Sequence, residues 1–299
     1  MNIPVVKYRS IWYLISGTAI AISIVFLLMW GMKQGIEFTG GTLMVVRFEE
    51  QPSAVELQGS LSTLEGDFGT AIVQLAGEKD AQIRLKPISE DAHQSIITRF
   101  REDYGTVEEL RYDSIGPVIG EELRSKSIRG LLIVLFAILV YVAYAFRKVS
   151  APVQSWKYGL VTIFAAFHDI LIPLGAFAYL GKFHGVEIGT PFIAALLTIL
   201  GYSITDTIVV MDRVRENLLK KNAVFSEIVQ ASVQQTFFRS FNTSMTTLLA
   251  LFAIFFFGGD TLKEFTLTLI IGISVGTYSS IFIASPLLVT LDRLKGKRK

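Results

Sequence analysis

The chain has no cysteine, which excludes disulfides, thiol nucleophiles and thiolate metal sites and says nothing about the redox state of its surroundings. Histidine is almost as scarce: three residues, at 93, 168 and 184, leave little for a zinc centre. No nucleophile and base set, phosphate loop or metal-ligand spacing accompanies the acidic residues, so an enzyme is the least supported reading and neither a cofactor nor a metal is expected. Charge is also thin, at 18% of residues against 51% hydrophobic. The formal net charge of +2 is too weak for a nucleic-acid partner, because the basic residues lie beside apolar runs rather than on one face.

What is present in quantity is long apolar sequence. About 20 helical residues cross ~30 Å of hydrocarbon. Runs of that kind are Ile11 to Trp30, Gly130 to Phe146, Tyr158 to Leu180, Gly189 to Met211, Ser240 to Gly259 and Phe265 to Leu291. They predict a polytopic α-helical membrane protein with six spans, at 11–32, 128–147, 158–180, 189–211, 240–259 and 265–291. Four of the runs are free of charge, whereas the third and fourth each hold one Asp, Asp169 and Asp206.

The basic residues fix an orientation. Lys7 and Arg9 precede the first run, Arg147, Lys148 and Lys157 lie between the second and third, and Arg213, Arg215, Lys220 and Lys221 follow the fourth. Residues 292–299 form a basic tail, while the short loops on the opposite side hold only Lys182 and Lys263. By the positive-inside rule both termini, 1–10 and 292–299, face the cytoplasm. The first run is long enough to span and lacks a small-x-small cleavage site, so it reads as retained.

Residues 33–127 mix acids and bases and fall on the outer side. Strand-like alternation at 42–49, 71–75, 81–85 and 107–112, with helical spacing at 53–64 and 89–104, gives the order βαββαβ. That is the order of a small α+β ferredoxin-like domain, more often a docking or hinge module than a catalytic one. Residues 212–238 read as a cytoplasmic amphipathic segment, either one helix or a helical hairpin on the membrane surface.

An ionised carboxylate at the membrane centre costs at least ~2.5 to 3.5 kcal/mol, so an intramembrane Asp is a functional candidate. Asp206 lies six residues before Asp212, ~9 Å along the helix. Arg239 begins the fifth span from the same side, so an antiparallel neighbour places an Asp206–Arg239 pair within reach; the competing reading is a static ion pair or an Arg that snorkels to phosphates. His168 and Asp169 sit near the middle of the third span, with side chains about 100° apart on a helix. They either relay protons or lock the bundle by hydrogen bonds. Asn242, Thr243, Ser244, Thr246 and Thr247 either line a hydrated path or bond carbonyls of their own helix. Small residues at Thr268, Gly272, Gly276 and Ser280, and at Ala194, Thr198, Gly201 and Thr205, permit close helix contacts.

Several stretches resemble the SecD/SecF family of bacterial protein-export membrane proteins, on its SecF side. They are Gly35 to Thr42 (GIEFTGGT), Gly116 to Leu123 (GPVIGEEL), Gly201 to Asn217 (GYSITDTIVVMDRVREN), His168-Asp169, and Arg239 to Thr247 (RSFNTSMTT). The resemblance runs from end to end. It implies half of a transporter of the resistance-nodulation-division (RND) type, paired with SecD beside the SecYEG channel, with YajC, in the bacterial inner membrane. It implies that the ion-motive force, of protons or sodium, helps draw unfolded preproteins outward. By the same resemblance Asp206 and Arg239 are ion-pathway residues, Asp169 a less certain one, and His168, Thr243 and Thr246 supporting ones. Thr205 stands where relatives commonly carry Asn. Two other readings remain: a small-molecule or lipid exporter half-unit of the same superfamily, which the single outer domain of modest size disfavours, and a scaffold that transports nothing.

Overall fold

A computed structural model describes residues 3–64, 68–69, 71–145, 155–220 and 222–296. The chain forms two compact units, one of residues 34–128 and one of residues 1–33 with 129–299.

In the first unit a short helix α2 (Ile36–Thr39) leads into β1 (Gly41–Phe48), α3 (Ala54–Ser62), β2 (Ile72–Ala76), β3 (Asp80–Leu85), α4 (Glu90–Tyr104) and β4 (Val107–Ile115), preceded in the chain by α1 (Arg9–Trp30). All strand pairs are antiparallel and the sheet order is β2-β3-β1-β4, the split βαβ arrangement that the alternation predicts. Period-two patterning explains the layers. Met44, Val46 and Phe48 of β1 and Ala81, Ile83 and Leu85 of β3 point to one face, where Leu57 and Leu61 of α3 and Ile96, Ile97 and Phe100 of α4 close over them. Helix α3 starts on a capping box: Ser53 Oγ accepts from the Glu56 N–H at 3.3 Å, and the Ser53 N–H donates to Glu56 Oε2 at 2.8 Å. That backbone donation holds the Glu56 carboxyl below the usual glutamate range.

Helix α2 is absent from the strand and helix pattern of the sequence. It is one turn, closed by Gly40 at φ +70° and Gly41 at φ +125°, conformations that disfavour any side chain. A Cβ on Gly40 would lie 2.7 Å from Pro117 Cα, and one on Gly120 would lie 2.8 Å from the Gly40 N atom. The two glycine-bearing segments therefore meet backbone to backbone and hold each other.

The second unit is a helical bundle of α1, the later part of α5 (Pro117–Ala145), α6 (Ser155–His184), α7 (Thr190–Lys220), α8 (Phe225–Phe257), α9 (Asp260–Ser279) and α10 (Ser285–Gly296), with a π-helical turn, Ser280–Ala284, between the last two. Among the described residues six helices, counting α9, the π turn and α10 as one, are long and apolar enough to cross a membrane. The protein is thus a multi-pass membrane protein. Its interior is built from α6, α7 and α9, while α1, α5 and α8 expose most of their apolar surface.

Several helices begin or end away from the bounds of the apolar runs that mark the expected spans. The second span was expected at 128–147, yet α5 is helical from Pro117, because nothing in 117–127 breaks a helix once Pro occupies its first turn; residues 146–154 lie outside the described ones. The first helix stops at Trp30, since Gly31 adopts φ +66°. The segment expected at 212–238 is no separate element: it is the ends of α7 and α8, a helical hairpin, with Asn217 Nδ2 donating to Ser232 Oγ at 2.8 Å and to Gln235 Oε1 at 3.0 Å across it. Of the tail at 292–299, the chain is helical to Gly296 and the last three residues are outside the described ones.

Glycines set the tightest contacts. A Cβ on Gly272 would lie 2.1 Å from Ile199 Cδ1, one on Gly276 2.9 Å from Ser203 Cβ, and one on Gly175 2.3 Å from Ser23 Cβ. The stripe on α9 thus lets it press on α7. The matching stripe on α7, Ala194, Thr198, Gly201 and Thr205, stays exposed.

Candidate functional site

Two carboxylates enter the bundle on neighbouring helices, and two adjacent residues, the last of α9 and the first of the π turn, reach both. Asp169 of α6 is wholly buried, as is His168 beside it. The carboxylate accepts from Ser279 Oγ at 2.7 Å and from Ser203 of α7, and its other oxygen lies 2.8 Å from His168 Nδ1. His168 Nε2 lies 3.1 Å from Ser16 Oγ of α1. One polar network therefore joins α1, α6, α7 and α9. Pro173, four residues after Asp169, supplies no N–H to the Asp169 carbonyl, so the α6 ladder is open at this residue.

The helical spacing predicts that His168 and Asp169 diverge, and they do so only at their far ends. His168 aims at α1 and Asp169 at α7 and α9, but the imidazole turns its near nitrogen back onto the carboxylate. Both residues are fully enclosed, and their side chains bond one another and the serines of α1, α7 and α9.

Asp206 of α7 is the contrasting centre. One carboxylate oxygen accepts from Ser240 of α8 and the other from Ser280, the first residue of the π turn. π turns occur disproportionately at functional sites. Asp206 is only partly buried and lines a cavity of about 420 Å³, whose wall includes Thr198, Gly201, Tyr202, Thr205, Arg239 and Thr243.

The expected ion pair between Asp206 and Arg239 is replaced by these two serines. The reason is angular: Ser240 faces α7, so Arg239, ~100° away around α8, is turned to the exposed side. Arg239 remains in the wall of the same cavity. The hydroxyls above it bond carbonyls of their own helix: Thr243 to Arg239 at 2.8 Å, Thr246 to Asn242 at 3.0 Å, and Thr247 to Thr243 at 3.0 Å. Of the polar cluster, Ser244 alone reaches other helices, through Tyr202 at 3.3 Å and Thr277 at 2.5 Å.

Sequence reasoning thus places Asp169, His168, Asp206 and Arg239 in the bundle interior or its cavity and misses the serines at 16, 203, 240, 279 and 280 as their ligands. A signal existed. Ser280 continues the small-residue spacing of Thr268, Gly272 and Gly276, a position whose packing face is already implied.

The family model for the protein export membrane protein SecD/SecF, C-terminal, matches residues 96–294, and that for the SecD/SecF GG motif matches residues 26–52, which include the glycine pair at 40 and 41. A protein translocase subunit SecF of Thermobaculum terrenum is 41% identical, over 97% of this chain and 94% of its own. One of Sebaldella termitidis is 35% identical, over 99% and 94%. The crystal structure of SecDF, a translocon-associated membrane protein of Thermus thermophilus, superposes with a TM-score of 0.84 at 33% identity. That match covers 98% of this chain and 39% of the SecDF chain, so the present chain is comparable to a minor part of it. On the family models, the near full-length identity and the shared bundle, the chain belongs to the SecD/SecF family of protein-export membrane proteins.

Proposed function

We propose that this chain is the SecF-type subunit of a Sec protein translocase, paired with SecD, that uses an ion gradient at Asp206 to assist export of preproteins. An accessory role in Sec-dependent protein transport follows from the family itself, whose members at high identity are protein translocase subunits. A SecDF chain in which the matching region is fused to further sequence supports SecD as the partner. Association with SecYEG and YajC, placement in the bacterial inner membrane and cytoplasmic termini belong to the same proposal.

The observation that carries the coupling step is the difference between the two carboxylates. Asp206 opens onto a cavity on the exposed face of α7 and α8, and two hydroxyls bond it directly while Arg239 stands in the same wall without closing an ion pair on it. A serine hydroxyl donates to a carboxylate and equally accepts from a carboxylic acid, so the same two partners serve both protonation states. One charge moving through 100 mV supplies ~2.3 kcal/mol, enough to shift a two-state equilibrium roughly fifty-fold. Loading a proton on Asp206 turns its charge-assisted bonds to Ser240 and Ser280 into weaker neutral ones, which loosens the hold of α7 on α8 and on the π turn. Because the segments around Gly40 and Gly120 interlock, any motion passed to residues 34–128 passes through both segments as one body.

The test is preprotein translocation into inverted vesicles holding the whole complex, with and without an imposed proton gradient, for wild type and Asp206→Asn. Gradient stimulation is expected to vanish while ATP-driven translocation and complex assembly persist. Unchanged stimulation would remove the central residue and favour a scaffold. Repeating the assay with a sodium gradient identifies the coupling ion.

A further inference from the structure

Away from both carboxylates, at the end of the bundle where α1 begins and α10 ends, lies a cavity of about 700 Å³. Its wall carries three cations, Lys7, Arg9 and Arg293, and a single carboxylate, Glu227. Among the described residues none of the three cations makes an ion pair; Lys7 Nζ stands 5.7 Å from the Tyr8 ring, and Arg9 acts only on the Tyr13 hydroxyl. Three unpaired cations around one concavity repel one another, and an anion relieves that repulsion.

The wall is built rather than incidental. Gln230 of α8 grips the segment before α1 from both sides: its Nε2 donates to the Ile3 carbonyl at 2.7 Å and its Oε1 accepts the Val6 N–H at 3.0 Å. Trp12 Nε1 donates to the Val5 carbonyl at 3.2 Å, and Val5 and Val6 are buried. The backbone carrying Lys7 and Arg9 is therefore fixed against the first turns of α8. Neither α1 nor α8 has a side-chain cap at its N-terminus, so the positive ends of both helix dipoles add to the same field.

We propose that this cavity binds the phosphate headgroup of an acidic phospholipid. The level and the surroundings favour a lipid over a soluble anion. Ser10 lines the cavity, and one turn further along the same face of α1 Leu14 is 72% exposed, with Gly17 and Thr18 exposed beyond it. An acyl chain leaving the cavity meets an open apolar track immediately. Basic pockets at helix ends take anionic lipid headgroups for this reason, each Lys or Arg contributing favourably near the surface.

The experiment is native mass spectrometry of the full chain released from nanodiscs that contain dioleoyl phosphatidylglycerol and dioleoyl phosphatidylcholine in equal amounts. Wild type is expected to retain phosphatidylglycerol roughly tenfold over phosphatidylcholine, and Lys7→Gln/Arg9→Gln/Arg293→Gln to lose that preference. Those cations also bias membrane orientation, so a second variant, Ser226→Asp/Gln234→Glu, keeps them and adds two carboxylates to the cavity wall. It too should lose the preference. Retention of phosphatidylglycerol by the second variant at the wild-type level overturns the site. Displacement of phosphatidylglycerol from wild type by millimolar inorganic phosphate assigns the cavity to a soluble anion instead and overturns the lipid proposal.

Discussion

The core of the α/β domain is built on Met44, Val46, Phe48, Leu57, Ile83, Ile96 and Phe100, whereas the bundle interior sets Ser16, His168, Asp169, Ser203, Ser240, Ser279 and Ser280 among apolar side chains such as Phe177, Phe192, Leu196 and Ile199. The outer surfaces differ too: the bundle turns Leu14, Leu28 and Phe257 outward, at 72%, 82% and 90% exposure. Water rewards hiding carbon, so the domain is held from its apolar centre. Hydrocarbon surroundings give no such reward, so packing of small residues and internal hydrogen bonds must hold the helices. The two units therefore differ in how much hydrogen-bonded polarity their interiors enclose.

That contrast can be broken most sharply in the domain. Phe100→Ala is expected to cost residues 34–128 about 3 to 5 kcal/mol, the usual loss for a buried aromatic, read as faster hydrogen exchange throughout those residues while amides of α6, α7 and α9 keep their protection. Equal loosening of both units would mean that they share one cooperative core. In the bundle the corresponding change removes polarity: Ser279→Ala strips Asp169 of one donor and should cost about 1 to 3 kcal/mol, seen as a lower thermal midpoint of the purified protein in detergent. A neutral or stabilising result would show that apolar packing holds the bundle after all.

The smallest expected effect belongs to the rim of the domain. Arg47 donates to Asp80 from Nε at 2.7 Å and from Nη2 at 2.9 Å, and this hydrogen bonding holds the Asp80 carboxyl below its usual range. A carboxyl lowered on folding contributes stability above its unfolded value near pH 4, and that contribution is lost as the pH falls through the folded value. The pair is largely solvated, so Arg47→Gln should remove less than about 1 kcal/mol at pH 7 and nothing at a pH low enough to protonate Asp80 in both states, measured by denaturation of the two proteins at matched pH.

The sequence makes the domain easier to read than the site. Alternation at 42–49 and 81–85 survives as β1 and β3 almost residue for residue, because a strand with one buried face can pair in only one register. The span boundaries are softer, since helices such as α5 and α8 continue beyond the apolar stretch wherever no residue stops them. At the site, the two Asp residues are visible because charge in an apolar run is conspicuous. Their partners are not, because serine is common in membrane helices and usually bonds its own turn, as Thr243 and Thr246 do here. Choosing Ser240 over Arg239 for Asp206 required the rotation of α8, which pattern alone does not supply.

Ser279 and Ser280 are joined by one peptide bond, yet one serves Asp169 and the other Asp206. The pair is a yoke: a turn or slide of the backbone at this step cannot lengthen the bond to one carboxylate without straining or shifting the bond to the other, so the two centres are tied through a single peptide unit.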